Sequence, residues 1–200
     1  MKTREFAIVC FVALFLTGLV SPIAAEKGDK QLRFGVLYSM PTDDLVVGDQ
    51  TTELDDAVGL YASFEFQVSD LIGIEPGISS VGYDLTVEQS PFLDENGDTD
   101  LLALTANINF HFEKDSGLDL FFGPTIGYAF WDDIETDNFT PDPTDDEFLF
   151  GVNFGLDYPF GEGAWAFNAG LSYLSFNIAA TNDDIGVSPI ELKVGLTYSF

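Results

Sequence analysis

Two hundred residues with 46% hydrophobic, 14% aromatic and 20% charged content suit one folded domain and exclude a disordered chain. A net charge of −27 argues against nucleic acid and anionic surfaces as partners. The one cysteine, Cys10, falls in an N-terminal leader, which leaves no disulfide or thiolate ligand for the mature chain.

In that leader Lys2 and Arg4 precede an apolar run from Phe6 to Val20, and "SPIAAE" follows, with Ile23 and Ala25 suiting cleavage before Glu26. The run is short for a retained helix, which needs roughly 20 apolar residues. Residues 1–25 are therefore expected to be a cleaved signal peptide and 26–200 the mature domain. Cleavage would take away Lys2, Arg4 and Glu5, making the remainder more acidic still. Cys10 sits inside the run rather than at its end, so no lipid anchor is expected.

Beyond residue 30 the hydrophobic period is 2. In 32–40, Leu32, Phe34, Val36, Tyr38 and Met40 alternate with Arg33, Gly35 and Ser39. In 58–68, Val58, Leu60, Ala62, Phe64, Phe66 and Val68 oppose Gly59, Tyr61, Ser63, Glu65 and Gln67. The stretch 72–87 runs from Ile72, Ile74 and Ile78 to Val81, Tyr83, Leu85 and Val87, a change of parity that a β-bulge near Ser79 or Ser80 would produce. Four more alternating segments follow at 102–112, 118–130, 148–158 and 165–173. The last segment places Ile190, Leu192, Val194, Leu196, Tyr198 and Phe200 against Glu191, Lys193, Gly195, Thr197 and Ser199. Eight strands are predicted.

Their connectors alternate. "SDL", "EKDSG" and "PFGEG" are short, whereas the others are long and rich in Asp, Thr, Asn and Glu. An even number of amphipathic strands of about ten residues, with short turns on one rim and long loops on the other, is the pattern of an antiparallel transmembrane β-barrel in the outer membrane of a Gram-negative bacterium. Closure also removes the sheet edges that hydrocarbon does not tolerate. A soluble eight-stranded barrel would turn these apolar faces inward. Its outer face would then carry many charges, whereas the second face here carries mainly Gly, Ser, Thr and Asn. Tyr38, Phe110, Phe112, Phe130, Trp131, Phe148, Tyr158, Phe160, Trp165 and Tyr173 lie near strand ends, as interfacial girdles require.

The ending "GLTYSF" resembles the C-terminal signal of outer-membrane barrels, in which Tyr198 and Phe200 would be read by the assembly machinery. More specifically, "LRFGVLYSMPTDD", "NFHF" and "GVNFGLDYPFGEGAWAFNAGLSYLSFNI" with "SPIELKVGLTYSF" resemble strands of the outer membrane protein W family, over about residues 31–200. The chain departs from that family at "SSVGYDLT", where members often carry a Pro-Phe-x-His stretch, and at "LLALTANI", where they carry prolines. A more general small barrel of the opacity or OmpA type is the alternative. The resemblance implies a narrow channel for passive uptake of small hydrophobic molecules, with outer-membrane lipid and lipopolysaccharide as surroundings. No cofactor is called for. The competing expectation is a structural or surface-interaction barrel that transports nothing.

An eight-stranded barrel is only wide enough for its own side chains or one small ligand. Leu37, Leu149, Leu174, Phe176 and Ile178 fall on otherwise polar faces and are the candidate lining of an apolar pocket; a second bulge or a plain structural role is the alternative. Arg33, Glu65, Glu75, Asp119, Asp157, Glu191 and Lys193 also face inward, and an ion-pair network is expected in which Arg33 reaches Glu65 or Glu191. Parity turns His111, the single histidine, inward at the short-turn end as a hydrogen-bonded residue rather than a catalyst. In "DENGDTD", Asp94, Asn96, Asp98 and Asp100 alternate as in a calcium loop, but Gly97 is fourth rather than sixth and no Glu stands twelfth. Solvated loops are the simpler reading, with weak Ca²⁺ or Mg²⁺ binding as the alternative.

Overall fold

The computed structural model describes residues 30–42, 45–47, 50–88, 95–113, 118–132, 135–136, 147–160, 164–180 and 183–200. The expected signal peptide and Asp94 lie outside them. The strands are β1 (Lys30–Met40), β2 (Leu45–Val47), β3 (Gln50–Leu54), β4 (Ala57–Ser69), β5 (Ile72–Glu88), β6 (Glu95–Glu113), β7 (Asp119–Trp131), β8 (Glu135–Thr136), β9 (Glu147–Pro159), β10 (Trp165–Ala180), β11 (Asp183–Val187) and β12 (Ile190–Ser199).

Eight of them close a ring in the order β1, β4, β5, β6, β7, β9, β10, β12, every pairing antiparallel. β12 returns to β1, with Arg33 opposite Thr197 and Gly35 opposite Gly195. The expected eight-stranded barrel is thus present. The four short strands raise its long-loop rim: β3 pairs the far end of β5, β2 pairs β3, β8 pairs the far end of β6, and β11 pairs the far end of β10.

The wall is apolar outside. Val36, Val58, Leu60, Ile126, Phe150, Val152 and Val194 all point away from the lumen and are exposed on the outer face. In water such a band would be a large unfavourable surface; in hydrocarbon it is the solvated face. The aromatic residues expected at the strand ends are also exposed, with two exceptions. Trp131 has inward parity and is buried, and Phe130 points outward but is covered.

The parity change expected in 72–87 does not occur. The β5–β6 register runs unbroken from Ile72 opposite Phe110 to Val87 opposite Glu95. Val81, Tyr83 and Leu85 consequently share the inward face with Gly73, Glu75 and Ser79, and are buried. Among the described residues the register shifts in β4, between Gln67 and Ser69. What changes along β5 is the chemistry of the lumen, polar at the short-turn end and apolar towards the long loops. β10 behaves alike: Ala166, Asn168, Ser172, Leu174 and Phe176 keep one inward parity, so no second bulge is needed.

β6 also begins earlier than expected. Residues 95–100 form strand against 82–87 of β5, not a loop. Asn96, Asp98 and Asp100 are exposed at alternate positions of this extended segment. Alternate residues on a strand are about 6.6 Å apart, too far to wrap one cation at roughly 2.4 Å. Among the described residues no group of three or more acidic, histidine or cysteine side chains is placed to hold a metal.

Candidate functional site

The lumen divides into two layers, each traceable to residues on the inward parity. The polar layer, towards the short turns, is centred on Arg33, which is 1% exposed. Its guanidinium donates to Asp157 Oδ2 from Nε (3.0 Å) and Nη2 (2.7 Å), and to Glu65 Oε2 from Nη1 (2.8 Å). Glu75 Oε2 stands 3.5 Å from Nη1, and Gln31 Oε1 accepts from Nη2. The planar fork of arginine lets one cation hold carboxylates from three strands.

The carboxylates are tied down in turn. Asn109 Nδ2 donates to Glu65 (2.6 Å) and Glu75 (2.5 Å), and Ser63 donates to Glu75. Asp157 Oδ1 accepts from Asn168 Nδ2 (2.8 Å) and Thr197 Oγ1 (2.5 Å). His111 sits between two acids, with Nε2 2.7 Å from Glu65 and Nδ1 2.7 Å from Asp119. The layer therefore ties β1, β4, β5, β6, β7, β9, β10 and β12 together across the lumen.

Phe121 packs its ring into this layer. Arg33 Cζ lies 4.5 Å over the ring of Phe121. Phe121 is directly opposite Gly155, where a Cβ would come within 2.3 Å of the ring. An aromatic on the polar parity facing a glycine was the signal available in the sequence, and it points to space reserved for the ring.

Arg33 does not reach Glu191. Glu191 is opposite Ser39, and Arg33 is opposite Thr197, a separation of roughly 20 Å along β12 at about 3.3 Å per residue. Glu191 instead pairs with Lys193 at 2.9 Å, and Lys193 Nζ also donates to Ser172 Oγ at 3.1 Å. Asp157, an inward acid with no partner assigned from the sequence, accepts two of the hydrogen bonds of Arg33. His111, whose placement was read from parity alone, joins the same network.

Between the layers is a cavity of about 40 Å³, bordered by Arg33, Tyr61, Glu75, Thr105, Asn153 and Lys193 among others. That is room for a few water molecules and not for a continuous pore.

Above it the lumen is filled with apolar side chains. Leu37, Leu149, Leu174 and Phe176, all expected on the inward face, pack with Val81, Tyr83, Leu101, Ala103, Ala129, Trp131 and Val187. Leu149 is 0% exposed and Phe176 2%. Trp131 stacks obliquely on Tyr83 (5.9 Å between centroids) and on Phe176 (5.8 Å). Ser39 and Tyr83 satisfy each other's hydroxyls at 2.7 Å. Ile178 is in β10, two residues beyond Phe176 and opposite Ile185 of β11. Sequence reasoning found Leu37, Leu149, Leu174 and Phe176, but missed Val81, Tyr83 and Trp131 because it assigned them to the lipid face.

At the inner rim, Phe200 N donates to Lys30 O at 2.8 Å, and its ring meets Tyr198 edge-on at 5.0 Å.

The family model for the outer membrane protein beta-barrel domain matches residues 11–200. The chain belongs to this family. No curated protein matches it. Among solved structures it is similar to the outer membrane protein OprG of Pseudomonas aeruginosa, at 17% identity and a TM-score of 0.69 over 86% of this chain and 96% of that one. It is also similar to AlkL in lipid bilayers (18% identity, TM-score 0.54, 90% and 93% covered). The E. coli outer membrane protein W follows the same fold (16% identity, TM-score 0.52, 88% and 99% covered). The barrel thus has the architecture that the resemblance to the W family implied, and its place is the outer membrane.

Proposed function

We propose that this barrel admits small hydrophobic molecules at its outer mouth and passes them into the outer membrane without using a through-lumen pore. The observation that carries this reading is the stacking of an apolar compartment, lined by Leu37, Leu149, Leu174 and Phe176, on a salt-bridged floor. An apolar solute gains by entering the first and loses by meeting the second, where buried charges would have to part from their partners. Release sideways into surrounding lipid is the route this arrangement favours.

The test is uptake of labelled apolar solutes by cells with the wild-type barrel, without it, and with Leu174→Asp plus Phe176→Asp. A carboxylate pair in the compartment should reduce uptake to the level of cells lacking the protein. Uptake equal to wild type would rule the reading out.

The near-complete burial of these side chains favours a second reading, a structural or surface-interaction barrel whose lumen is simply filled. Neither reading assigns a catalytic role to His111, whose ring nitrogens stand 2.7 Å from Glu65 and Asp119. In both readings the barrel sits among lipid and lipopolysaccharide, and its last strand, ending at Tyr198 and Phe200, serves as the address for barrel assembly.

A further inference from the structure

Among the described residues, the apolar compartment holds a buried donor with nothing to bond. The indole Nε1 of Trp131 is buried without a hydrogen-bond partner, on a residue only 7% exposed. Tyr83 and Phe176 flank its ring, and Leu101 is opposite it across β6 and β7. The Tyr83 hydroxyl bonds Ser39 and does not accept from the indole. A water molecule could accept from the indole, but it needs two to four polar partners to be held, and this layer offers few. Indole N–H groups buried in proteins usually find an acceptor, and one left without carries the full cost of its desolvation.

We infer that the Trp131 indole N–H is a ligand-recognition group, and that the preferred ligands are small apolar molecules bearing a single hydrogen-bond acceptor, such as ketones, aldehydes or esters, in preference to plain hydrocarbons. This rests on the proposal that the outer compartment takes apolar ligands. The hydrocarbon part of the ligand would replace contacts among Leu149, Leu174 and Phe176, and the carbonyl oxygen would accept from Nε1. One neutral hydrogen bond of this kind corresponds to about tenfold in affinity.

The experiment uses the full chain in lipid nanodiscs with isotope-labelled tryptophan. The chain has two tryptophans, and Trp165 is on the outer face, so Trp165→Phe assigns the Trp131 indole resonance. The probes are methyl hexyl ketone and its isostere in which a methylene replaces the carbonyl oxygen. The ketone is expected to bind about tenfold more tightly and to move the Trp131 indole proton downfield with saturation, while the isostere binds without that shift. In Trp131→Phe the two affinities should become equal. Equal affinities in wild type, with no downfield shift, overturn this inference and leave the apolar compartment standing. Binding of neither probe overturns both. Should Trp131→Phe not fold, the indole shift in the Trp165→Phe protein decides the matter alone.

Discussion

Replacing Arg33 by alanine removes the cation that stands within bonding distance of three inward carboxylates, those of Glu65 at 2.8 Å, Asp157 at 2.7 Å and Glu75 at 3.5 Å, of which Glu65 alone keeps a second partner in His111. All four side chains are nearly inaccessible, so solvent cannot replace the lost partner. Breaking a buried ion pair from one side costs about 3–5 kcal/mol, and here one deletion strands several charges at once, which places Arg33→Ala at the upper end of that range. Arg33→Lys keeps the charge, but a single ammonium cannot hold Asp157 by two nitrogens and Glu65 by a third, so an intermediate loss is expected. Arg33→Met combined with Glu65→Gln and Asp157→Asn should recover much of the stability, since it removes the two nearest charges together with their partner and leaves Glu75 to Ser63 and Asn109. Urea unfolding of the barrel in lipid vesicles, followed by heat-modifiable gel mobility and tryptophan fluorescence, measures each. If Arg33→Ala unfolds within about 0.5 kcal/mol of wild type, the network does not organise the lumen and the argument from stranded carboxylates is wrong.

The same structure gives three further expectations. Gly155→Val should destabilise the barrel by about 1–3 kcal/mol, because its Cβ meets Phe121 at 2.3 Å, and pairing it with Phe121→Ala should restore part of the loss in the same unfolding assay. Deleting Phe200 removes the backbone bond to Lys30 and the edge-on contact with Tyr198; the folded fraction recovered from cell envelopes should fall, and an unchanged yield would deny the residue a role in assembly. Calorimetric titration with Ca²⁺ should give no saturable heat, since Asn96, Asp98 and Asp100 are strung along a strand instead of curled into a loop; a saturable isotherm would show that the acidic rim binds the ion after all.

How far these features could be read from the sequence depended on how many signals agreed. The strand count, the outward face and the closure of the last strand on the first rested on a two-residue period supported by many residues, and a single exception could not shift them. The interior was harder. Alternation tells which residues share a face, but a change from polar to apolar along one face looks identical to a bulge that swaps faces. Val81, Tyr83 and Leu85 were assigned to lipid for that reason, although the unbroken β5–β6 register keeps them inside. Leu174 and Phe176 escaped the error because they followed a long stretch of regular parity from Ala166. Partner choice in the ion network was out of reach for a different cause. Arg33 and Asp157 are on non-adjacent strands and meet across the lumen, so strand pairing alone could not foresee the bond. The choice of Glu65 over Glu191 depended on the register of β1 against β12, which places Glu191 opposite Ser39. The acidic run at 95–100 read as a loop because its composition outweighed its pairing with β5.

The seam between β1 and β12, where Gln31 faces Ser199, also dictates a timetable. Two segments at opposite ends of the chain must meet before any edge is covered, and contacts of such long sequence separation are the slowest to form. No hairpin made earlier can be left in hydrocarbon, since its open edges would stay unbonded. The polypeptide must therefore travel from synthesis to its membrane as an unclosed chain rich in aromatic strands, which is an aggregation hazard unless something escorts it. Once the seam zips, the same long-range pairing makes unfolding equally all-or-none.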